Sequence, residues 1–466
     1  MTHEHLEALF PANSRSREIG EIVQHIVLGD SCQMIGMPGV GREDVFGLLT
    51  YNYNVRVKHL GDEQAKYHFV MVNFAEVNGK PYMDAVKLLF FSLANSLSER
   101  EYVEQAEHVV GLLQKSMAFN DEVALVQGLK EAVHFLTQEK ELTIVFLLHR
   151  FEQYATQVDS AFFVLIDSLH TVAPNQFAVV FSLTRPLEQL LEEKAYKEMM
   201  PNLSGMHVYL SVHDEPSILF RIDHTAATLK KVAPLGLKDD LLSLTGGHRK
   251  MTKRAIEEVL QNDELLQVFS TSIGHDIVAD KARLREYLLE STLVRSVSYE
   301  IWNNLLPSEQ LLLKRQLQKR GENIAESEEE KKTVIFLQNL QVLLNNYFTI
   351  PLFEEFVRYR LEHGLDEKLS LQHETGEILM GEQSITTKFT SLEYKLLRLF
   401  LTNPGAVVER EQLIAAVWGD AKTTAGVTDQ AIDQLIFRLR KKIEENPNEP
   451  LHLLTVKGRG FQFVVS

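Results

Sequence analysis

The residues from Gly36 to Glu43 have the types and the spacing of a loop that binds phosphate. Gly36 and Gly41 frame the pattern G-x-x-x-x-G, Gly39 lies between them, and the pattern joins a short apolar run to a predicted helix. Glycines let backbone N–H groups approach a phosphate, and the N-terminus of the helix adds positive potential. We interpret Gly36, Gly39, Gly41 and Arg42 as the candidate residues of a vestigial nucleotide-binding site.

Other residues that phosphoryl transfer needs are altered. Arg42 occupies the position of the lysine that reaches the terminal phosphates, and Glu43 that of the hydroxyl that holds Mg²⁺. After the apolar residues 143–148, His149 stands where a metal-binding aspartate belongs, and Arg150 where a catalytic glutamate often follows. Four such changes leave no evident metal site and no group that activates water. We predict that the chain is not an enzyme and needs no cofactor, with binding of ATP or ADP as the open alternative.

A second group of residues, near the C-terminus, has the types that contact DNA. At 100° per residue, Gln430, Gln434, Phe437 and Lys441 fall on one side of a predicted helix that Thr428 caps. Apolar residues fall on the opposite arc, which is therefore predicted to face a core. Amides and cations suit base edges and phosphates, and an exposed phenylalanine can pack on a thymine methyl group.

A cationic turn, Lys457-Gly458-Arg459, follows at the predicted tip of a terminal hairpin. An ordinary solvated helix face is the alternative interpretation of the helix alone. That alternative explains neither the exposed Phe437 nor the cationic turn, so binding to double-stranded DNA is favoured. The residues that we expect to contact DNA are Thr428, Gln430, Gln434, Phe437, Arg438, Arg440, Lys441, Lys457 and Arg459.

The charge of the chain is unevenly distributed. The 466 residues contain 48 Lys and Arg against 64 Asp and Glu, a net charge of −16, which taken alone argues against nucleic acid as a partner. Residues 381–466 carry 11 basic and 10 acidic side chains, whereas residues 1–380 carry 37 and 54. The acidity therefore belongs to the first part of the chain, and the last part is near neutral with clustered cations.

The order of the predicted elements indicates several domains. Apolar runs of strand length alternate with amphipathic helical stretches through the first 210 residues, which is typical of an α/β domain with a parallel sheet. A helical region follows, and the last hundred residues combine short strands, three helices and a terminal hairpin. The apolar runs are residues 32–36, 69–74, 142–148, 177–183 and 206–210. The predicted domains are residues 1–212, 213–290, 291–365 and 366–466.

Residues 10–265 resemble a AAA-related P-loop ATPase module of the STAND or origin-recognition type. The resemblance rests on the phosphate loop, on Arg17-Glu18-Ile19 before it, on Thr184-Arg185 at a strand end and on Thr245-Gly246-Gly247-His248-Arg249. It implies a parallel sheet with a helical lid and a nucleotide-gated switch. The altered positions at the loop make this a degenerate member. Arg42 and Arg249 could still hold a phosphate, with structural salt bridges as the alternative.

Two further segments resemble winged-helix domains. Residues 295–361 resemble the winged-helix module that often follows such an ATPase, and the acidic run near Glu328 makes it a packing module rather than a DNA-binding one. Residues 368–466 resemble the OmpR/PhoB-type winged-helix DNA-binding domain. There Thr390 and Glu393 form a capping box at the start of a helix. The resemblance implies a recognition helix in the major groove and a wing at phosphate or the minor groove.

These features predict a multidomain α/β plus α+β protein: a P-loop ATPase-like domain with a lid, then two winged-helix domains. The favoured function is a DNA-binding transcriptional regulator whose residues 1–365 sense, oligomerise or bind a protein partner. A non-hydrolysing nucleotide switch and a protein-interaction adaptor are the alternatives. The N-terminus lacks a secretory pattern and the apolar runs are too short to cross a membrane, so a cytoplasmic protein without membrane contact is expected.

Overall fold

The computed structural model describes residues 5–464 apart from residues 156, 198–202, 204, 271–276, 320–323, 364–368, 373–374, 381–382, 404, 420–427, 445–446, 448–449, 451 and 457–458. Contacts divide the chain into two compact units, Met1–Phe356 and Val357–Ser466, which we call the body and the C-terminal unit.

A five-stranded parallel sheet forms the centre of the body, as the sequence predicts. Its strands are β1 Cys32–Ile35, β2 Tyr67–Asn73, β3 Thr143–His149, β4 Phe177–Leu183 and β5 His207–Tyr209. Their order in the sheet is β2-β3-β4-β1-β5, and every neighbouring pair is parallel. Strands β1, β3 and β4 are buried along their whole length, which is why they appear in the sequence as unbroken apolar runs.

Helices cover both faces of this sheet. They are α1 Ser16–Val27, α2 Arg42–Tyr51, α3 Tyr53–Leu60, α4 Tyr82–Glu99, α5 Val103–Ala118, α6 Glu122–His134, α7 Ser160–Val172, α8 Leu187–Leu190 and α9 Glu193–Tyr196. Polar side chains cap several of them: Asn52, for example, accepts a hydrogen bond from the N–H of Val55 at the start of α3. The core on one side is rich in aromatic rings, with Phe74, Phe151 and Phe162 in mutual contact.

The rest of the body is helical apart from one small hairpin, and its last helix continues past Phe356 into the C-terminal unit. The helices are α10 Glu215–Thr228, α11 Leu235–Thr245, α12 Arg249–Gln261, α13 Asp263–Ser270, α14 Ile277–Glu290, α15 Thr292–Asn304, α16 Pro307–Gln318, α17 Glu328–Asn339 and α18 Pro351–His363. Strands β6 Leu343–Leu344 and β7 Tyr347–Phe348 pair antiparallel after α17. Three helices followed by such a hairpin have the element order expected of the first winged-helix module.

The described residues of the C-terminal unit form two small antiparallel sheets and three further helices. The strands are β8 Leu369–Leu371, β9 Ile378–Met380, β10 Gln383–Ser384, β11 Val407–Val408, β12 Leu453–Val456 and β13 Gly460–Phe463, and the helices are α19 Ser391–Thr402, α20 Arg410–Trp418 and α21 Asp429–Ile443. The predicted capping box is present, because the Glu393 carboxylate accepts from the N–H of Thr390, 2.8 Å away. One apolar core joins all three helices to β12 and β13.

Across the residues that the structure describes, every helix is too short or too polar to cross a membrane.

Candidate functional site

The loop after β1 is packed against the start of α12. Gly39 and Gly41 have φ angles of 76° and 107°, in the left-handed region that favours glycine. A Cβ atom on Gly39 would lie 2.9 Å from the ring of His248 and 2.9 Å from Cβ of Lys250. These glycines therefore permit close packing of the lid on the loop, in addition to the bare backbone that the sequence predicts.

His248 and Lys250 also bond the carbonyl groups of the loop. The His248 Nε2–H donates to the carbonyl of Pro38 at 2.9 Å, and the Lys250 backbone N–H donates to that of Gly39 at 3.0 Å. His248 Nδ1 accepts from the N–H of Met251 and so caps α12. Complete burial lowers the pKa of His248 to about 4, so the ring is neutral and has one donor and one acceptor.

Arg15 fixes the loop from the other side, a role that the sequence interpretation missed. Its buried guanidinium donates to the carbonyl of Val40 at 2.5 Å and to that of Ser211 at 2.5 Å. Its backbone N–H donates to the Asp214 carboxylate, and its φ of 51° is left-handed. The predicted box begins two residues later, at Arg17, whose side chain is half exposed. A single left-handed residue such as Arg15 produces no periodic pattern of apolar residues, so no pattern in the sequence indicated this role.

The altered positions of the loop face the altered positions after β3, as the parallel order of the sheet requires. Arg42 forms an ion pair with Glu152, with 2.9 Å between Nη2 and Oε1. Glu43 lies 3.9 Å from the ring of His149. Burial is the largest effect on His149 and lowers its pKa. The arginine that replaces the lysine is thus paired within the chain, and His149 Nε2 accepts from the neighbouring Arg150 at 3.1 Å.

Asp44, which follows them on α2, holds two arginines. Its buried carboxylate lies 2.6 Å from Arg221 of α10 and 2.5 Å from Arg249 of α12. Arg249 was a candidate phosphate ligand, with a structural salt bridge as the alternative. In the structure it forms that salt bridge.

A cleft of about 640 Å³ remains between the loop, the end of β3, the start of α12 and α15. Its volume lies in the range of ligand-binding clefts. It carries both signs of charge, and no metal-binding cluster of His, Cys, Asp or Glu occurs among the described residues. The lining residues are Pro38, Gly39, Gly41, Arg42, Glu43, His149, Arg150, Glu152, Gln153, Thr184, Arg249, Lys250, Glu300, Asn303 and Asn304. Gly36 is outside this lining, and a Cβ atom there would lie 2.8 Å from Val40 and 3.2 Å from Leu210.

Arg185, two residues after β4, bonds residues of α15 and α16. Both terminal nitrogens bond the Glu309 carboxylate, at 2.6 and 2.7 Å, and Nη2 also donates to the carbonyl of Asn304. Both side chains are more than 90% buried. The residue at the sensor-like strand end therefore joins β4 to α15 and α16.

The predicted DNA-contacting helix is α21, and its two faces are as the periodicity indicates. Thr428 caps it by accepting from the N–H of Ala431. One face is buried in the core of the C-terminal unit, through Ile432, Leu435, Ile436, Leu439 and Ile443. The exposed face carries Gln430, Gln434, Phe437, Arg438 and Lys441. Phe437 is 37% exposed, and the Lys441 ammonium lies 4.9 Å from the centre of its ring.

Arg440 is not on this exposed face. Its guanidinium donates to the carbonyl of Leu453 at 2.7 Å and to the hydroxyl of Thr455 at 2.9 Å. The burial that accompanies these bonds lowers its pKa. Lys442 is likewise engaged, because its ammonium lies 2.5 Å from the buried carboxylate of Glu393. The basic run of α21 therefore divides into two exposed cations, Arg438 and Lys441, and two that brace the fold.

The wing is partly described. Arg459 is exposed just before β13, and its backbone N–H bonds the carbonyl of Val456. Lys457 lies outside the described residues, so its predicted role stays a prediction.

Arg410 of α20 is another residue that the sequence interpretation missed. It pairs with Asp429 at 3.2 Å and with Asp433 at 2.7 Å, both on α21. Its guanidinium also lies 5.3 Å from the centre of the Phe461 ring on β13. An arginine 19 and 23 positions before two aspartates gives no local pattern, so only the fold brings these groups together.

Comparison with known proteins gives matches for both parts of the chain. Residues 383–463 match the family model "Transcriptional regulatory protein, C terminal". Protein PetR of Rhodobacter capsulatus is 39% identical over 88 residues, which are 18% of this chain and 36% of PetR. The phosphate regulon transcriptional regulatory protein PhoB of Escherichia coli is 38% identical over 95 residues, which are 20% of this chain and 39% of PhoB. The chain thus spans little more than a third of the length of these curated relatives.

Among solved structures, the Walker-type ATPase PABY2304 of Pyrococcus abyssi is similar over 76% of this chain and 97% of its own, with 12% identity and a TM-score of 0.45.

The predicted resemblance of the C-terminal domain is confirmed by the family match. Residues 383–463 form a transcriptional regulatory C-terminal domain of the OmpR/PhoB type, with α21 as its third helix.

Proposed function

We propose that the chain is a DNA-binding transcriptional regulator that contacts the major groove through α21. The observation that carries the proposal is the exposed face of α21 within a domain that matches the transcriptional regulatory family. PhoB, one of the similar proteins, is itself named a transcriptional regulatory protein.

Five exposed side chains of α21 have a chemical role in this proposal. Gln430 and Gln434 offer amides that can bond adenine, and Phe437 offers an apolar edge for a thymine methyl group. Arg438 and Lys441 supply positive charge for phosphate or for guanine. Thr428 lies at the helix start, and Lys457 and Arg459 belong to the wing, which we place at phosphate or the minor groove. We assign Arg440 to bracing of the domain.

We propose that the body does not hydrolyse nucleotide and serves to sense a signal, to self-associate or to bind a protein partner. The altered loop supports this, because Arg42 and Glu152 neutralise each other at the position of the missing lysine. In this proposal residues 1–212 are the ATPase-like domain, 213–290 its lid, 291–365 a packing winged helix and 366–466 the DNA-binding domain. The protein would act in the cytoplasm, where its DNA is.

The test begins by selecting, from random duplexes, the sequence that the full-length protein binds. We expect binding whose affinity falls steeply with salt. Arg438→Ala should weaken binding to every duplex and reduce the salt slope by about 1, whereas Gln434→Ala should mainly relax sequence preference. Arg398→Ala is the matched control, because Arg398 is an exposed arginine on α19 of the same domain. Binding that is unaffected by both α21 variants would refute the proposal.

A non-hydrolysing nucleotide switch is the second candidate, and the open cleft of about 640 Å³ beside Gly39, Gly41 and Arg42 favours it. Calorimetry with ATP, with and without Mg²⁺, tests it directly. Absence of heat at millimolar ATP would eliminate this candidate. Heat that Arg42→Ala abolishes would support it.

A further inference from the structure

Two carboxylates lie beside the exposed face of α21. Asp433 directly precedes Gln434 and lies one helical turn before Phe437, and Asp429 lies one turn before Asp433. Their side chains are 57% and 81% exposed, so both are open to the surroundings of the helix. Negative charge at these positions repels DNA phosphates at the distance of a bound duplex. A domain that binds DNA through this face needs a way to offset them.

Arg410 bridges both carboxylates. Its Nη1 donates to Asp429 Oδ1 at 3.2 Å and its Nη2 to Asp433 Oδ1 at 2.7 Å, so the two ends of one planar guanidinium bond two different acids. The cation also lies over the ring of Phe461, which fixes it from the side of the hairpin. Arg410 is the first residue of α20, so these contacts join α20, α21 and β13 at one point.

We propose that Arg410 is a positioning residue for DNA binding, an inference that rests on the proposed function. It neutralises one of the two negative charges beside the contact face, and it does so without bonding DNA itself. Both of its terminal nitrogens are already engaged by carboxylates, which separates its role from that of Arg438 on the exposed face.

The size of the effect follows from the charge that is lost. Removal of Arg410 leaves Asp429 and Asp433 unopposed, which lowers the effective positive charge at the face by one. One unit of charge changes the slope of log affinity against log salt concentration by about 0.9. Over the tenfold range from about 1 M to 0.1 M salt, this slope corresponds to about eightfold weaker binding at 0.1 M salt. Replacing both aspartates by asparagine removes the repulsion at its source. The effect of losing Arg410 should then disappear.

The experiment measures fluorescence anisotropy of the full-length protein on its selected duplex across a salt series. We expect Arg410→Ala to bind about eightfold more weakly at 0.1 M salt, and Arg410→Ala combined with Asp429→Asn and Asp433→Asn to bind at least as tightly as wild type. Arg398→Ala removes the same charge elsewhere in the domain and should change affinity far less. The double variant Asp429→Asn, Asp433→Asn keeps Arg410 and should not weaken binding.

The possible outcomes are separable. Weak binding that persists in the triple variant would mean that Arg410 contacts phosphate directly, and would overturn the proposal. Wild-type affinity in Arg410→Ala, or weakening by the two asparagine changes alone, would also overturn it. Failure of the wild-type protein to bind any duplex would instead refute the proposed function. Far-UV circular dichroism of each variant verifies that the helices are retained.

Discussion

Breaking the ion pair between Arg185 and Glu309 should detach the first winged-helix module from the sheet. The pair is bidentate, with distances of 2.6 and 2.7 Å, and both side chains are more than 90% buried. Glu309 Oε2 also accepts from the N–H of Leu306 at the start of α16. Because Glu309→Gln leaves a buried guanidinium without its counter-charge, we expect a cost of about 3–5 kcal/mol in the free energy of unfolding. This replacement keeps the size of the side chain and most of its packing.

Tryptophan fluorescence can follow the body alone. The chain has two tryptophans, and Trp418→Phe leaves Trp302, which is buried on α15 beside the pair. With a urea slope of about 2–3 kcal/mol per molar, the expected cost lowers the midpoint of the Trp302 transition by about 1–2.5 M urea. Glu328→Gln is the control, since Glu328 forms an exposed ion pair in the same module and should have little effect on the midpoint.

A double-mutant cycle then isolates the interaction between the two charges. Arg185→Met combined with Glu309→Met removes both buried charges, so it should recover much of the stability that either single change loses. Two results would refute the reasoning. One is a Glu309→Gln midpoint equal to that of Glu328→Gln, and the other is a double variant that loses the sum of the two single losses.

Two further changes test the packing of the lid. Gly246 has a φ of 59°, and a Cβ atom there would lie 2.0 Å from the carbonyl oxygen of Thr349. Gly246→Ala should therefore lower the free energy of unfolding, measured in urea, by at least about 2 kcal/mol. Gly236→Ala is the control and should lower it by nothing, because a Cβ atom at Gly236 would meet open space. Because burial lowers the pKa of His248 to about 4, its contribution to stability should fall by about 3 kcal/mol as the pH drops from about 6.5 to about 4, and stay level below that. His248→Asn keeps a cap acceptor and should flatten this part of the urea-midpoint profile; an unchanged profile would contradict the assignment.

Much of the framework was predictable because it depends on periodicity. The five apolar runs correspond to the five strands within two residues at each end. The glycine spacing after β1 also indicated the place of the loop. The alternation along α21 likewise separated its buried residues from Gln434 and Phe437. For the strands and for α21 the signal is the direction of Cβ, which the regular geometry of a helix or strand determines.

The ends of long side chains were not predictable in this way. Arg440 falls on the flank of the contact face by its Cα position, yet its guanidinium reaches back to β12. Arg410 and Arg15 bond residues in distant parts of the chain, and Asp44 forms ion pairs with two arginines, one on α10 and one on α12. An arginine side chain extends several ångströms beyond Cβ through four rotatable bonds. The partner that its guanidinium bonds therefore depends on which surfaces the fold brings near. Sequence spacing carries no information about that.

The pairing of cations differs between the cleft of the body and the exposed face of α21. In the cleft, Arg42 is paired with Glu152 and Arg249 with Asp44, so each of these cations already has an acidic partner in the chain. On α21, Arg438 and Lys441 remain on the exposed face. Displacing a partly buried ion pair costs more than replacing water and counterions at an exposed cation. Phosphate binding is therefore less favoured in the cleft than on α21, which agrees with the proposed function, in which α21 rather than the cleft contacts phosphate.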